Sequence, residues 1–124
     1  MRNRAGGLLI ENGKILLIHR IKNINGERKE YYVVPGGGIE EKENIKEATI
    51  RELKEETGLN VKLIKNEPLI TFKTEKGNQY FSLINKVSGV LGTGDGPEFN
   101  DPAYKNMGEF ILEFIDINDI IEMK

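Results

Sequence analysis

Glu52, Glu55 and Glu56 stand at positions i, i+3 and i+4. On an α-helix, where successive residues turn by about 100°, that spacing puts three carboxylates on one face. Three like charges on one stripe repel each other. A helix carries them on a solvated surface, or where cations neutralise the cluster. Hard divalent ions such as Mg²⁺ or Mn²⁺ take oxygen ligands: a few carboxylates, water and phosphate oxygens. An ordinary solvated acidic helix is the competing reading. Arg51, interleaved with the acids, and the run Pro35-Gly36-Gly37-Gly38 ahead of them weigh against it.

The helix that must carry these residues is legible at both ends. Asn44 with Glu47 forms an N-x-x-E capping arrangement, which predicts a start near Ile45. Gly58 suits the left-handed position just past the last turn. Ile50, Leu53 and Thr57 fall on a different face from the glutamates, fit to pack against a sheet. Val34, preceding a proline, is biased to extended backbone, so Tyr31 to Val34 reads as a strand ending there. Gly36 to Gly38 are expected to turn the chain sharply and to let the backbone approach a ligand.

Residues 37 to 59 as a whole read GGIEEKENIKEATIRELKEETGL. Gly37, Glu43, Arg51, Glu52, Leu53, Glu55, Glu56, Gly58 and Leu59 fill every specified position of G-x5-E-x7-R-E-U-x-E-E-x-G-U, with U a bulky aliphatic residue. The segment resembles the signature of the Nudix hydrolases, which cleave a diphosphate linked to another moiety. The resemblance implies an α/β fold, an α/β/α sandwich with a mixed β-sheet between helices. It implies Glu52, Glu55 and Glu56 as metal ligands, with the Gly36 carbonyl a further one and Gly37 and Gly38 against the substrate. Arg51 would orient the glutamates through charge-assisted hydrogen bonds, and Glu43 would support the loop–helix geometry. A water whose pKa is lowered by the metal would attack phosphorus, and a glutamate would take its proton. Glu55 and Glu98 both stand as that base.

The rest of the chain bounds the answer. Its 124 residues, 38% of them hydrophobic, suit a single domain over 1–124. There is no cysteine, hence no disulfide and no thiolate chemistry. The apolar run after Arg2 and Arg4 breaks at Glu11-Asn12-Gly13-Lys14, too short for a signal peptide or a membrane span, so a cytoplasmic protein is expected. With 18 basic and 20 acidic side chains the net charge is −2. That balance argues against long nucleic acid as partner and leaves a small nucleotide open. Oligomeric state is not legible, and a homodimer stays open.

Gly7 to Ile10 and Ile15 to Ile18 flank Asn12-Gly13, a strong hairpin signal, and their unbroken apolar character suggests burial on both faces. A polar connection from Lys22 to Glu30 is expected before the Tyr31–Val34 strand. Val61 to Ile64, Leu69 to Thr74 and Gln79 to Ile84 read as strands, with a turn at Lys76-Gly77-Asn78. A short helix is expected near Ile117 to Met123. The glycine-rich run from Gly89 to Pro97 lacks the ending of a phosphate-binding P-loop and reads as a surface loop.

Further candidates come from this survey. Glu98 sits where many Nudix enzymes carry an additional acid, with Asp95, Asp101 and Glu109 as competitors. Arg20, and less strongly Arg4, are candidates for phosphate contact through the guanidinium fork. His19, the only histidine, reads as structural. Tyr31, Tyr32, Phe72, Tyr80, Phe99 and Tyr104 read as core or ordinary surface, though any one could stack on a base.

Substrate choice rests on absences. ADP-ribose-type relatives tend to carry a proline about fifteen residues past the box, where Thr74 and Glu75 stand here; that is a family pattern rather than a physical requirement. Dinucleoside-polyphosphate types tend to show a tyrosine where this chain has Lys76 and Gly77, and the added N-terminal segment of many sugar-nucleotide members is expected to be lacking. The remainder resembles compact, mutator-type members that cut a nucleoside or deoxynucleoside triphosphate to monophosphate and pyrophosphate. ADP-ribose, sugar nucleotides and dinucleoside polyphosphates are the alternatives. A domain that binds nucleotide without turnover is another, though it would be expected to have lost a helix glutamate.

Overall fold

In a computed structural model the residues described are 2–93 and 109–122. They form eight strands and two helices: β1 (Arg4–Glu11), β2 (Lys14–Ile24), β3 (Glu27–Val33), β4 (Gly36–Gly38), α1 (Ile45–Thr57), β5 (Leu59–Leu63), β6 (Ile70–Thr74), β7 (Gly77–Gly89), β8 (Glu109–Asp116) and α2 (Ile117–Glu122). The sheet path runs β3-β2-β1-β7-β5, with β4 on β1, β6 on β7 and β8 on β2. β1 and β7 are parallel and the other pairings antiparallel, a mixed sheet as expected.

The β1–β2 hairpin turns at Asn12 and Gly13, both at positive φ (52° and 76°), the backbone that Asn-Gly adopts most readily. Its pairing covers Ile10 with Ile15 and Glu11 with Lys14, after which the strands part. β1 continues beside β7, and β2 beside β8 and β3. That divergence is why Ala5 to Leu9 and Leu16 to Ile18 are buried without alternation. The polar stretch from Lys22 to Glu30 is not a free connection. β2 and β3 pair from Ile18–Val33 out to Ile24–Glu27 around a second positive-φ turn, Asn25-Gly26. Exposed alternating charges conceal such a hairpin from a reading based on apolar runs. The turn between β6 and β7 falls at Glu75-Lys76, with Gly77 already in β7.

α1 packs on β1, β4 and β5, and α2 adjoins β8. Leu53 is fully buried, in a cluster with Leu9, Leu16, Leu59, Val61 and Ile84, and Ile50, Leu63, Leu112 and Phe114 pack against it. Gly7 sets how closely α1 approaches. A Cβ there would lie 2.6 Å from Ile84 Cδ1 and 2.9 Å from Leu53 Cδ2. Among the described residues no helix is long and apolar enough to cross a membrane.

Candidate active site

The site begins with the caps of α1. Asn44 Oδ1 accepts from Glu47 N–H at 2.7 Å and Glu47 Oε1 from Asn44 N–H at 3.0 Å, the reciprocal box its sequence predicted. Gly58 closes the helix at φ 82°, donating to Lys54 O at 3.0 Å. Between these ends Ala48, Thr49, Leu53 and Thr57 are buried. Their burial fixes the rotation of α1 and so the direction of the glutamate stripe.

Pro35 to Gly38 depart from the expected sharp turn. Gly36, Gly37 and Gly38 form β4, paired with Gly6, Ala5 and Arg4 of β1. None of the three has a positive φ. The glycines are required by crowding instead. A Cβ on Gly36 would strike the Ala5 carbonyl, and one on Gly37 would sit 2.5 Å from the Glu52 carboxylate. Glycine thus lets the acidic helix face press directly on a strand.

Arg51 joins the parts. Its Nε and Nη2 hold Glu43 as a fork (2.7 and 2.9 Å), Nη1 donates to Glu52 at 2.9 Å and Glu55 at 3.2 Å, and Nη2 also donates to Gly38 O at 3.0 Å. Those five bonds match the five N–H donors of a guanidinium. Glu56 Oε2 accepts from Gly36 N–H at 3.2 Å. The hydrogen bond from Arg51 holds the Glu43 carboxyl below the ordinary carboxylate range, and burial opposes this. Hydrogen bonding to Glu43 and then Glu52 holds the Arg51 guanidinium above its usual value, again against burial. One guanidinium therefore faces Glu43, Glu52 and Glu55 together.

The donor chemistry suits a hard divalent cation, since Glu52, Glu55, Glu56 and the glycine backbone offer only oxygen. Among the described residues no three carboxylate or imidazole side chains close around one point. Glu52 and Glu55 turn toward Arg51 and Glu56 toward Gly36. An ion would draw these carboxylates together from positions already side by side.

A cavity of ≈ 360 Å³ opens at this edge, with Arg4, Gly36, Gly37, Gln79, Phe81 and Val33 among its walls. Of the residues singled out in the sequence, Arg4, Gly36 and Gly37 meet here, and Gly38, Arg51, Glu52 and Glu56 adjoin them. Arg20 does not line this cavity. Its guanidinium lies 3.6 Å from the centre of the Phe110 ring and 5.9 Å from that of Tyr31. His19 stacks on Tyr32 (ring centres 4.5 Å apart), with Nδ1 3.3 Å from Glu113 and Nε2 3.9 Å from Glu30. Burial, reinforced by Glu113 and Glu30, pushes the Tyr32 phenol up. Glu98, Asp95, Asp101, Phe99 and Tyr104 lie outside the described residues. Gln79 and Phe81 were passed over in the sequence. Their i, i+2 spacing in a strand places them on one face, and the parallel pairing of β1 with β7, which no local pattern announces, brings that face to Arg4 and Gly6.

The fold and this arrangement define a class, and comparison with known proteins gives its name. The NUDIX domain description matches residues 1–113, and the chain belongs to that family. It is 44% identical over 109 residues to an ADP-ribose pyrophosphatase of Methanocaldococcus jannaschii, covering 88% of this chain but 48% of that protein. It is 32% identical over 95 residues to an 8-oxo-dGTP diphosphatase of Buchnera aphidicola, covering 73% and 68%. A crystal structure of a NUDIX-family hydrolase from Clostridium perfringens superposes with a TM-score of 0.66 at 22% identity, covering 97% of this chain and 83% of that one. The chain thus spans about half the length of the Methanocaldococcus relative.

Proposed function

We propose that this chain is a divalent-metal-dependent pyrophosphohydrolase acting on a nucleoside diphosphate linked to another group. The glutamate stripe, tied by Arg51 to a glycine strand that forms part of a cavity wall, carries this reading. Glu52, Glu55, Glu56 and the Gly36 carbonyl would hold Mg²⁺ or Mn²⁺. When bound, the ion offsets diphosphate charge and makes water more acidic. Arg51 keeps Glu52 and Glu55 aimed. The Gly37 backbone, which lines the cavity beneath Glu52, would meet the phosphates, with Gly38 next to it beneath Arg2, and Arg4 faces the same cavity. Glu55, with 34% side-chain exposure against 13% for Glu52, is the more open to water, so Glu55 takes the proton in this reading, with Glu98 the alternative base.

For the substrate we infer a nucleoside or deoxynucleoside triphosphate, cut to the monophosphate and pyrophosphate. The Buchnera relative, named for a triphosphate, supports this. The Methanocaldococcus relative favours a second reading, ADP-ribose. A panel of nucleoside triphosphates, 8-oxo-dGTP, ADP-ribose, sugar nucleotides and dinucleoside polyphosphates, assayed with Mg²⁺ and Mn²⁺, decides between them. The first reading expects the highest kcat/KM on a triphosphate. A value about tenfold higher on ADP-ribose, or about 1.4 kcal/mol of transition-state stabilisation, replaces it with the second.

A further inference from the structure

A second hollow, ≈ 430 Å³, adjoins the cavity at Gly36 and Gly37, and its walls include Arg2, Arg4, Lys76, Glu75 and Gln79. The two hollows share Arg4 and Gln79, partners across the parallel β1–β7 pair. They are therefore two lobes of one groove along those strands. The inner lobe reaches Gly6 and Phe81, next to the glycine strand and its glutamates. The outer lobe lies toward Arg2 and Gly77. At about 3.3 Å per residue, an extended chain from Gly6 through Arg4, where β1 begins, to Arg2 reaches at most roughly 13 Å.

The cationic end is built into the backbone. Arg2 N–H donates to Lys76 O at 3.0 Å, and Asn78 N–H donates to Asn3 Oδ1 at 2.9 Å. Gly77, at φ 132°, has the Arg2 backbone where a Cβ would stand. These contacts hold Arg2 beside Lys76 at the end of the strand that carries Arg4. Among the described residues none of the three cations forms an ion pair within 4.0 Å. Arg2 lies over Gly38 and its charge helps to lower Glu43, while Glu75 is the one carboxylate in the walls. Three cations converge on a groove in a chain whose net charge is −2. Arginine and lysine so placed suit a phosphoryl group.

We propose that the outer lobe is an anion subsite for a phosphoryl group on the ribose, on the side of the nucleotide away from the diphosphate that is cut. The proposal rests on the reading that the glutamate end holds that diphosphate. It is tested by calorimetric titration of the full chain in Mg²⁺ with AMP, adenosine 2′,5′-bisphosphate and adenosine 3′,5′-bisphosphate, none of which carries a diphosphate to cleave. At least one bisphosphate is expected to bind tenfold or more tightly than AMP, and which one does so identifies the ribose position. Arg2→Gln and Lys76→Gln, made separately, are each expected to shrink that preference at least threefold while AMP affinity holds. Equal binding of AMP and both bisphosphates overturns the subsite alone, as does a preference that neither substitution moves. Failure of all three ligands to bind also overturns the subsite, while the reading beneath it falls only if no substrate of the panel is hydrolysed with Mg²⁺ or Mn²⁺.

Discussion

Arg51 commits its N–H donors to Glu43, Glu52, Glu55 and Gly38, so its role is geometric rather than simply electrostatic. Lysine keeps the charge but not the fork. Arg51→Lys is therefore expected to lower kcat by at least tenfold and to destabilise the fold by about 1–3 kcal/mol, the usual range for losing charge-assisted bonds; wild-type kinetics and an unshifted urea midpoint would contradict this. Glu43 acts on the same joint from the other side. Its pKa in the folded chain lies below its unfolded value. The stability it contributes is present above the unfolded carboxylate pKa, about 4.3, and is lost as pH falls through the lower folded value. Glu43→Gln should reduce stability at pH 7 and flatten the decline below about pH 4.5, as read from urea midpoints at pH 7 and 3.5. The glutamates on the stripe behave differently. Glu55→Gln or Glu56→Gln relieves like-charge repulsion, which offsets the weakened bond from Arg51 or Gly36, so the melting temperature should hold within a few degrees while kcat falls by orders of magnitude.

At the scale of elements, β4 pressed against α1 is the contact that makes the site. Gly36→Ala places a Cβ against backbone of β1, which cannot yield, whereas Gly37→Ala places one against the end of the Glu52 side chain. The first should cost several kcal/mol of stability, as overpacking does. The second should fold near normally yet lose activity, because Glu52 must swing away. Thermal melts and turnover of the two variants separate these outcomes, and equal loss of stability in both would contradict the account. α1 was legible to the residue because Asn44, Glu47 and Gly58 each carry a local capping preference. β4 was not, since three glycines have no strand preference and extend here only because β1 accepts them. The cavity wall at Gln79 and Phe81 stayed hidden for a related reason. It depends on the parallel pairing of strands more than seventy residues apart, and periodicity within one strand says nothing of its neighbour.

For the whole molecule, the mixed sheet and α1 share one core through Leu53, so packing energy and site geometry are linked. Removing that buried side chain by Leu53→Ala should cost about 2–5 kcal/mol and loosen the rotation of the glutamate stripe. The central claim is that the stripe works through a divalent ion, and turnover by metal-stripped protein titrated with Mg²⁺ tests it most directly. The best substrate of the panel is used, and wild type is compared with Glu56→Gln. No hydrolysis before addition, saturable recovery in the wild type and little recovery in the variant are predicted. Full turnover by stripped wild-type protein in excess chelator, or equal recovery by Glu56→Gln, would contradict the claim.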